Sequence, residues 1–133
     1  MIEILWLLFA ASCGLVEGFL FHGRKPTITK TDEHVIFTIQ RVVVGMMCVW
    51  NLYPDFQRMM IFTISAIAVF SFIHDGTLYE TRRYLSGGTI YPRGWTEESQ
   101  TTDAKISMKF INRLWLFIGG VSLYIGYLII KHL

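Results

Sequence analysis

A chain of 133 residues that is 53% hydrophobic and only 17% charged, with a net charge of +2, departs from soluble composition in both directions. Soluble domains are about 45–50% apolar and about 25% charged, and a chain this short has much surface to cover. The composition therefore excludes an ordinary soluble enzyme and a disordered tail. The small net charge gives no basis for a nucleic-acid partner.

Four apolar runs take up most of the chain: 4–21, 35–53, 56–73 and 114–130, of 18, 19, 18 and 17 residues. Each is near the lower length limit for crossing a hydrocarbon core of about 30 Å. The expected fold is all-α: a polytopic membrane protein, a single four-transmembrane-helix bundle with one long loop at about 75–112. The first run carries Glu3 and no Lys or Arg before its apolar stretch, so a retained helix is expected over a cleaved signal peptide. Cys13 and Cys48 sit in apolar runs without metal-ligand spacing and read as small buried hydrophobes.

The connections differ in character. Gly23, Pro26 and Thr31-Asp32 mark the first loop and a cap for the second helix. Asn51 to Asp55, with Pro54, reads as a tight turn joining an antiparallel hairpin. Leu78 to Leu85 can prolong the third helix until Gly87-Gly88 stops it, and Asp103 to Asn112 can lead helically into the fourth. Call the side bearing both termini and the Pro turn face A, and the side bearing the longer loops face B. Face B holds nine basic residues and face A two, Arg58 and Lys131. The positive-inside rule then puts face B in the cytoplasm and both termini outside.

Polar residues within the runs carry most of the functional information, because a charge inside a membrane needs a partner. Glu17 and Arg41 fall at similar depth near face B and are expected to pair. A structural ion pair is the leading reading; a substrate, ion or proton site and a snorkelling cation are the alternatives. His22, His34, His74, Asp75, Asn112 and Arg113 should gather in the same layer, as a polar cap or as a metal site. The spacing opposes a di-metal carboxylate site, since Glu17 and His22 are five apart rather than three. No cofactor is expected, and metal at this layer is the alternative. A Ser71/His74/Asp75 relay would crowd one helical turn, so no catalytic residue is assigned.

Small residues mark packing ridges: Ala10, Gly14 and Gly18 in the first helix, Gly45 in the second, and Gly119, Ser122 and Gly126 in the fourth. Tyr79, Arg82, Arg83, Tyr91, Arg93 and Trp95 have the aromatic and basic mix of a headgroup or partner surface.

Several strings near face B carry a resemblance. His74-Asp75-Gly76, Tyr79, Thr81-Arg82, Leu85, Ile90 to Trp95 and Ser99 to Thr102 form one block. Asp32-Glu33-His34 with Phe37 to Arg41 forms a second. Together they resemble uncharacterised small polytopic membrane proteins of bacteriophage type over about a third of the chain. The resemblance implies a viral setting, in a host or virion membrane, and brings no activity with it.

The functional expectation is a non-catalytic structural or assembly component, with membrane lipids and copies of itself or a larger membrane complex as partners. A holin-like or channel-type pore is one alternative. It would need polar residues along a whole helix, and near face A only Asn51, Gln57, Arg58 and Ser122 offer themselves. A membrane-embedded metal-dependent enzyme using the Glu17/His34/His74/Asp75 layer is the other.

Overall fold

The computed structural model describes residues 2–22, 30–100 and 107–133. Four helices carry it: α1 (Ile2–His22), α2 (Lys30–Trp50), α3 (Phe56–Leu85) and α4 (Phe110–His132). Among the described residues three segments, Ile2–Leu20, Phe56–Leu85 and Phe110–His132, are long and apolar enough to cross a membrane. The apolar part of α2, Phe37–Trp50, is shorter. At 1.5 Å per residue it reaches only about 21 Å.

Helix α3 is the axis of the fold, with α1 and α4 packed along it and α2 making slighter contact. Asp55 starts α3, its carboxylate accepting from the backbone N–H of Arg58 (3.0 Å). This is the N-cap that offsets the unpaired first-turn donors of a helix. The turn before it contains a cis Tyr53–Pro54 bond. At the other end α3 closes at Ser86, and Gly87 and Gly88 follow with φ of 61° and 86°. Glycine takes this left-handed backbone without steric cost, so the chain can turn back toward α3. Thirty residues make a helix of about 45 Å, longer than a ~30 Å hydrocarbon core. Such a helix is long enough to reach past the hydrocarbon core into the headgroup region.

Helical periodicity decides what each helix buries. On α1, Trp6, Ala10, Cys13, Gly14, Glu17 and Gly18 are buried, while Leu8, Leu15, Val16 and Phe19 are exposed. Ala10 is fully covered. A β-carbon on Gly14 would collide with the Thr77 side chain and the His74 carbonyl, and one on Gly18 with Thr81. The small-residue ridge of α1 thus allows a close approach to α3 within the same chain. Gly45 faces the Trp6 ring more loosely, at ordinary contact distance for an added β-carbon (3.6 Å).

Helix α4 departs from expectation. It meets α3 through Arg113, Gly120, Tyr124 and Tyr127, which are buried. A β-carbon on Gly120 would lie 3.0 Å from Cβ of Ala68 and 3.1 Å from the Ser65 carbonyl oxygen. Gly119 and Gly126 have open space where a β-carbon would go, and Ser122 is exposed. Among the described residues, nothing therefore packs closely on Gly119 or Gly126. The line through them runs about 100° around the helix from the line through Gly120, and small residues are available on both.

The segment before α4 also differs from the helical lead-in expected over Asp103 to Asn112. β1 (Ser99–Gln100) pairs antiparallel with β2 (Ser107–Met108), Ser99 opposite Met108. Lys109 is still extended, and α4 begins only at Phe110. Residues 103–106 lie outside the described residues.

Candidate functional site: two polar layers across the bundle

The first layer lies toward face B. Measured along α3, His74 is about 27 Å from Phe56. Arg41 reaches from α2 to the carboxylate of Glu17 on α1, forming an ion pair. The Glu17 side chain is 5% exposed, so an unpaired charge there would be costly. Nη2 of Arg41 also lies 2.9 Å from Nε2 of His74, and the guanidinium sits over the Phe70 ring.

His74 stands at the centre of the layer. Its Nε2 faces an acceptor, Glu17 Oε1 at 3.2 Å, as well as the Arg41 donor. Its Nδ1 donates to Asp75 Oδ1 at 2.8 Å, and Phe70 stacks on the ring at 5.1 Å. Asp75 accepts in turn from Ser71 Oγ (3.0 Å) and has Arg113 Nη1 at 3.9 Å. The chain of contacts Arg41–Glu17–His74–Asp75–Arg113 thus crosses all four helices. Arg41 with Glu17 and Arg113 with Asp75 bring opposite charges together, and the His74 ring bridges the two carboxylates.

Arg113 was expected here, but its extent of burial was not legible in the sequence. It is fully buried. It donates to the carbonyl oxygens of Trp95 (3.2 Å) and Glu97, and lies over the rings of Tyr79 and Phe110. A single cation thereby ties the loop ahead of α4 to the layer. Asn112, by contrast, is exposed and does not join it. One residue along a helix turns a side chain by about 100°, so Asn112 and Arg113 cannot both face α3. The side chains of His22 and His34 lie outside the described residues.

The loop itself is docked rather than spread as a surface. Trp95 occupies the space a β-carbon on Gly76 would need, and its ring meets Phe72 at 5.8 Å. Its backbone N–H donates to Glu80 Oε2 (3.3 Å). Tyr91 packs on the buried Tyr79 at 4.7 Å and takes a hydrogen bond from Arg82 (3.3 Å). Tyr79, Tyr91 and Trp95 thus hold the loop on α3, Tyr79 being buried and Tyr91 and Trp95 half-buried. Arg83, paired with Glu80, and Arg93 remain exposed.

The second layer lies toward face A, where few polar residues were expected. Arg58 on α3 donates to Glu3 of α1 (2.7 Å) and to the hydroxyl of Tyr124 on α4 (3.0 Å). That hydroxyl donates to Glu3 at 2.6 Å, closing a triangle across three helices. Asp55 accepts from Tyr127 (3.2 Å) and pairs with Lys131. Glu3, Asp55, Tyr124, Tyr127 and Lys131 were all missed. One signal was available: Tyr124, Tyr127 and Lys131 recur every three or four residues, on one helix face.

The two layers place the starts of α1 and α3 beside the end of α4, and Glu17, Arg41, His74 and Arg113 at the opposite end. Successive helices therefore alternate in direction. Chemically, both layers bring acidic and basic side chains of different helices together. Ser71 spends its hydroxyl on Asp75 and not on His74, so the serine–histidine contact of a hydrolytic relay is missing. Among the described residues no group of three or more His, Cys, Asp and Glu is set to hold a metal ion. No family model, curated protein or solved structure matches the chain.

Proposed function

We propose that this chain is a non-catalytic, polytopic membrane protein of four spanning helices, acting as a structural or assembly component. It joins copies of itself or a larger membrane complex, in the viral setting that the phage-type resemblance suggests. The observation that carries this reading is the way charges are used. Glu3, Glu17, Arg41, Arg58, Asp75 and Arg113 contact one another between helices, while Leu, Ile, Val and Met side chains cover the outside.

The short apolar part of α2 does not prevent it from crossing. Lys30 to His34 extend the helix into the headgroup region, and a short span is accommodated by local thinning at modest cost. The nine-to-two bias of basic residues supports an orientation with face B in the cytoplasm. For assembly, the line Asn112, Trp115, Gly119, Ser122 and Gly126 on α4 is exposed or half-buried, and small residues there permit close approach by another helix.

Native mass spectrometry of the detergent-extracted particle tests this reading. More than one copy, or a tightly held second subunit, is expected, with Gly119→Leu and Gly126→Leu lowering the copy number while the chain still extracts folded. A monomer without partner at every concentration would contradict it.

A further inference from the structure

An open groove of about 710 Å³ runs between α2 and α3, and Trp6 of α1 forms part of its wall. Its wall is apolar from Trp50 and Met59 at one end to Phe70 at the other, where Arg41 and Ser71 add polar atoms. Measured along the helices, the distance from Arg41 to Trp50 is about 14 Å and from Met59 to Ser71 about 18 Å. The groove thus runs from the level of Arg41 to the face-A end of α2, a length comparable with half of a ~30 Å core and so with the reach of one acyl chain. Its volume and sparse polar groups suit a chain-bearing amphiphile.

Charge settles which amphiphile. The Arg41 side chain remains 25% exposed although it pairs with Glu17. It stands at the face-B end, the end with nine of the chain's twelve basic residues. We infer that the groove binds one acyl chain of an anionic phospholipid whose phosphate lies at the Arg41 end. The chain runs past Phe70 and Ala66 over the Trp6 ring toward Trp50. The lipid fills the space that the slight packing of α2 leaves open and so completes the bundle.

The proposal rests on the membrane placement given above, and tryptophan quenching separates the two. The chain has four tryptophans, of which Trp6 is 8% exposed and lines the groove, whereas Trp115 is 65% exposed on α4. Two proteins are prepared, one retaining only Trp6 and one only Trp115, the others replaced by Phe. Both are reconstituted in phosphatidylcholine vesicles with a minor fraction of phospholipid brominated on its acyl chains, carrying either a phosphatidylglycerol or a phosphatidylcholine headgroup. Trp115 should be quenched alike by both. Trp6 should be quenched about two- to fivefold more by the phosphatidylglycerol form, the worth of about one interfacial cation on an anionic lipid.

Gly45→Leu and, independently, Ile67→Phe should fill the groove and abolish that excess. Neither position holds a polar contact of the two layers, and Ile67 is 71% exposed, so the fold should survive. Trp6 left bright while Trp115 is quenched overturns the groove proposal. Equal quenching of Trp6 by both headgroups overturns the anionic assignment. Trp6 left bright in a particle of doubled mass gives the groove to a second copy instead. Failure to quench either tryptophan overturns the membrane placement itself.

Discussion

The Trp95 indole lies where a β-carbon on Gly76 would have to be. A ring from the loop is thus seated directly on the backbone of α3, two residues past His74. Gly76→Ala should displace it, at about 1–3 kcal/mol for an overpacked site. In a protein with Trp95 as its sole tryptophan, iodide should then quench more strongly and emission should shift to longer wavelength. Unchanged emission would mean that the loop is not held there.

Arg113 holds the same loop from the other side. Arg113→Met removes the donor to two carbonyl oxygens and the partner of Asp75. Breaking a buried pair from one side costs about 3–5 kcal/mol. Thermal unfolding in detergent should show the loss, and proteolysis between Gly87 and Gly94 should speed up. Arg93→Met, on an exposed side chain, should leave both unchanged within about 0.5 kcal/mol.

The face-A triangle gives a milder expectation. Tyr124→Phe deletes the hydroxyl shared by Glu3 and Arg58 without changing the ring's packing on Phe62. Since Arg58 still reaches Glu3 directly, the cost should be about 1–2 kcal/mol by chemical unfolding. Arg58→Met should cost more, because it removes the guanidinium's bonds to both Glu3 and the Tyr124 hydroxyl.

Orientation is open to a labelling experiment. With Cys13 and Cys48 replaced by Ala, single cysteines at Thr89 and at Leu133 report the two faces, and both positions are exposed. A membrane-impermeant maleimide applied outside intact cells should label the Leu133 site and spare the Thr89 site. The reverse pattern would invert the topology.

What could be read from the sequence, and what could not, follows from the range of each signal. Length and apolar periodicity are local, so the helices and the stop at Gly87-Gly88 were legible. The proximity of Glu17 and Arg41 was legible because each charge in an apolar run requires a partner at its own depth. The choice between Gly119 and Gly120 was not, since both lie on α4 and only the shape of α3 at Ser65 and Ala68 selects one. The face-A triangle was hidden for a related reason: Glu3 and Tyr124 are 121 residues apart. Tyr79 and Trp95 have the composition of an interfacial belt, yet Gly76 supplies a cavity on the helix that composition cannot reveal.

The central claim is that the charges inside the bundle exist to neutralise one another. The most direct test is a double-mutant cycle on Glu17 and Arg41, read as unfolding free energy in detergent. Glu17→Gln or Arg41→Met alone should each cost about 3–5 kcal/mol, and the double change markedly less than either, because it leaves no buried charge uncompensated. If the two single costs simply add in the double variant, or if Arg41→Met behaves like the parent, the pair does not lock the bundle and the account fails.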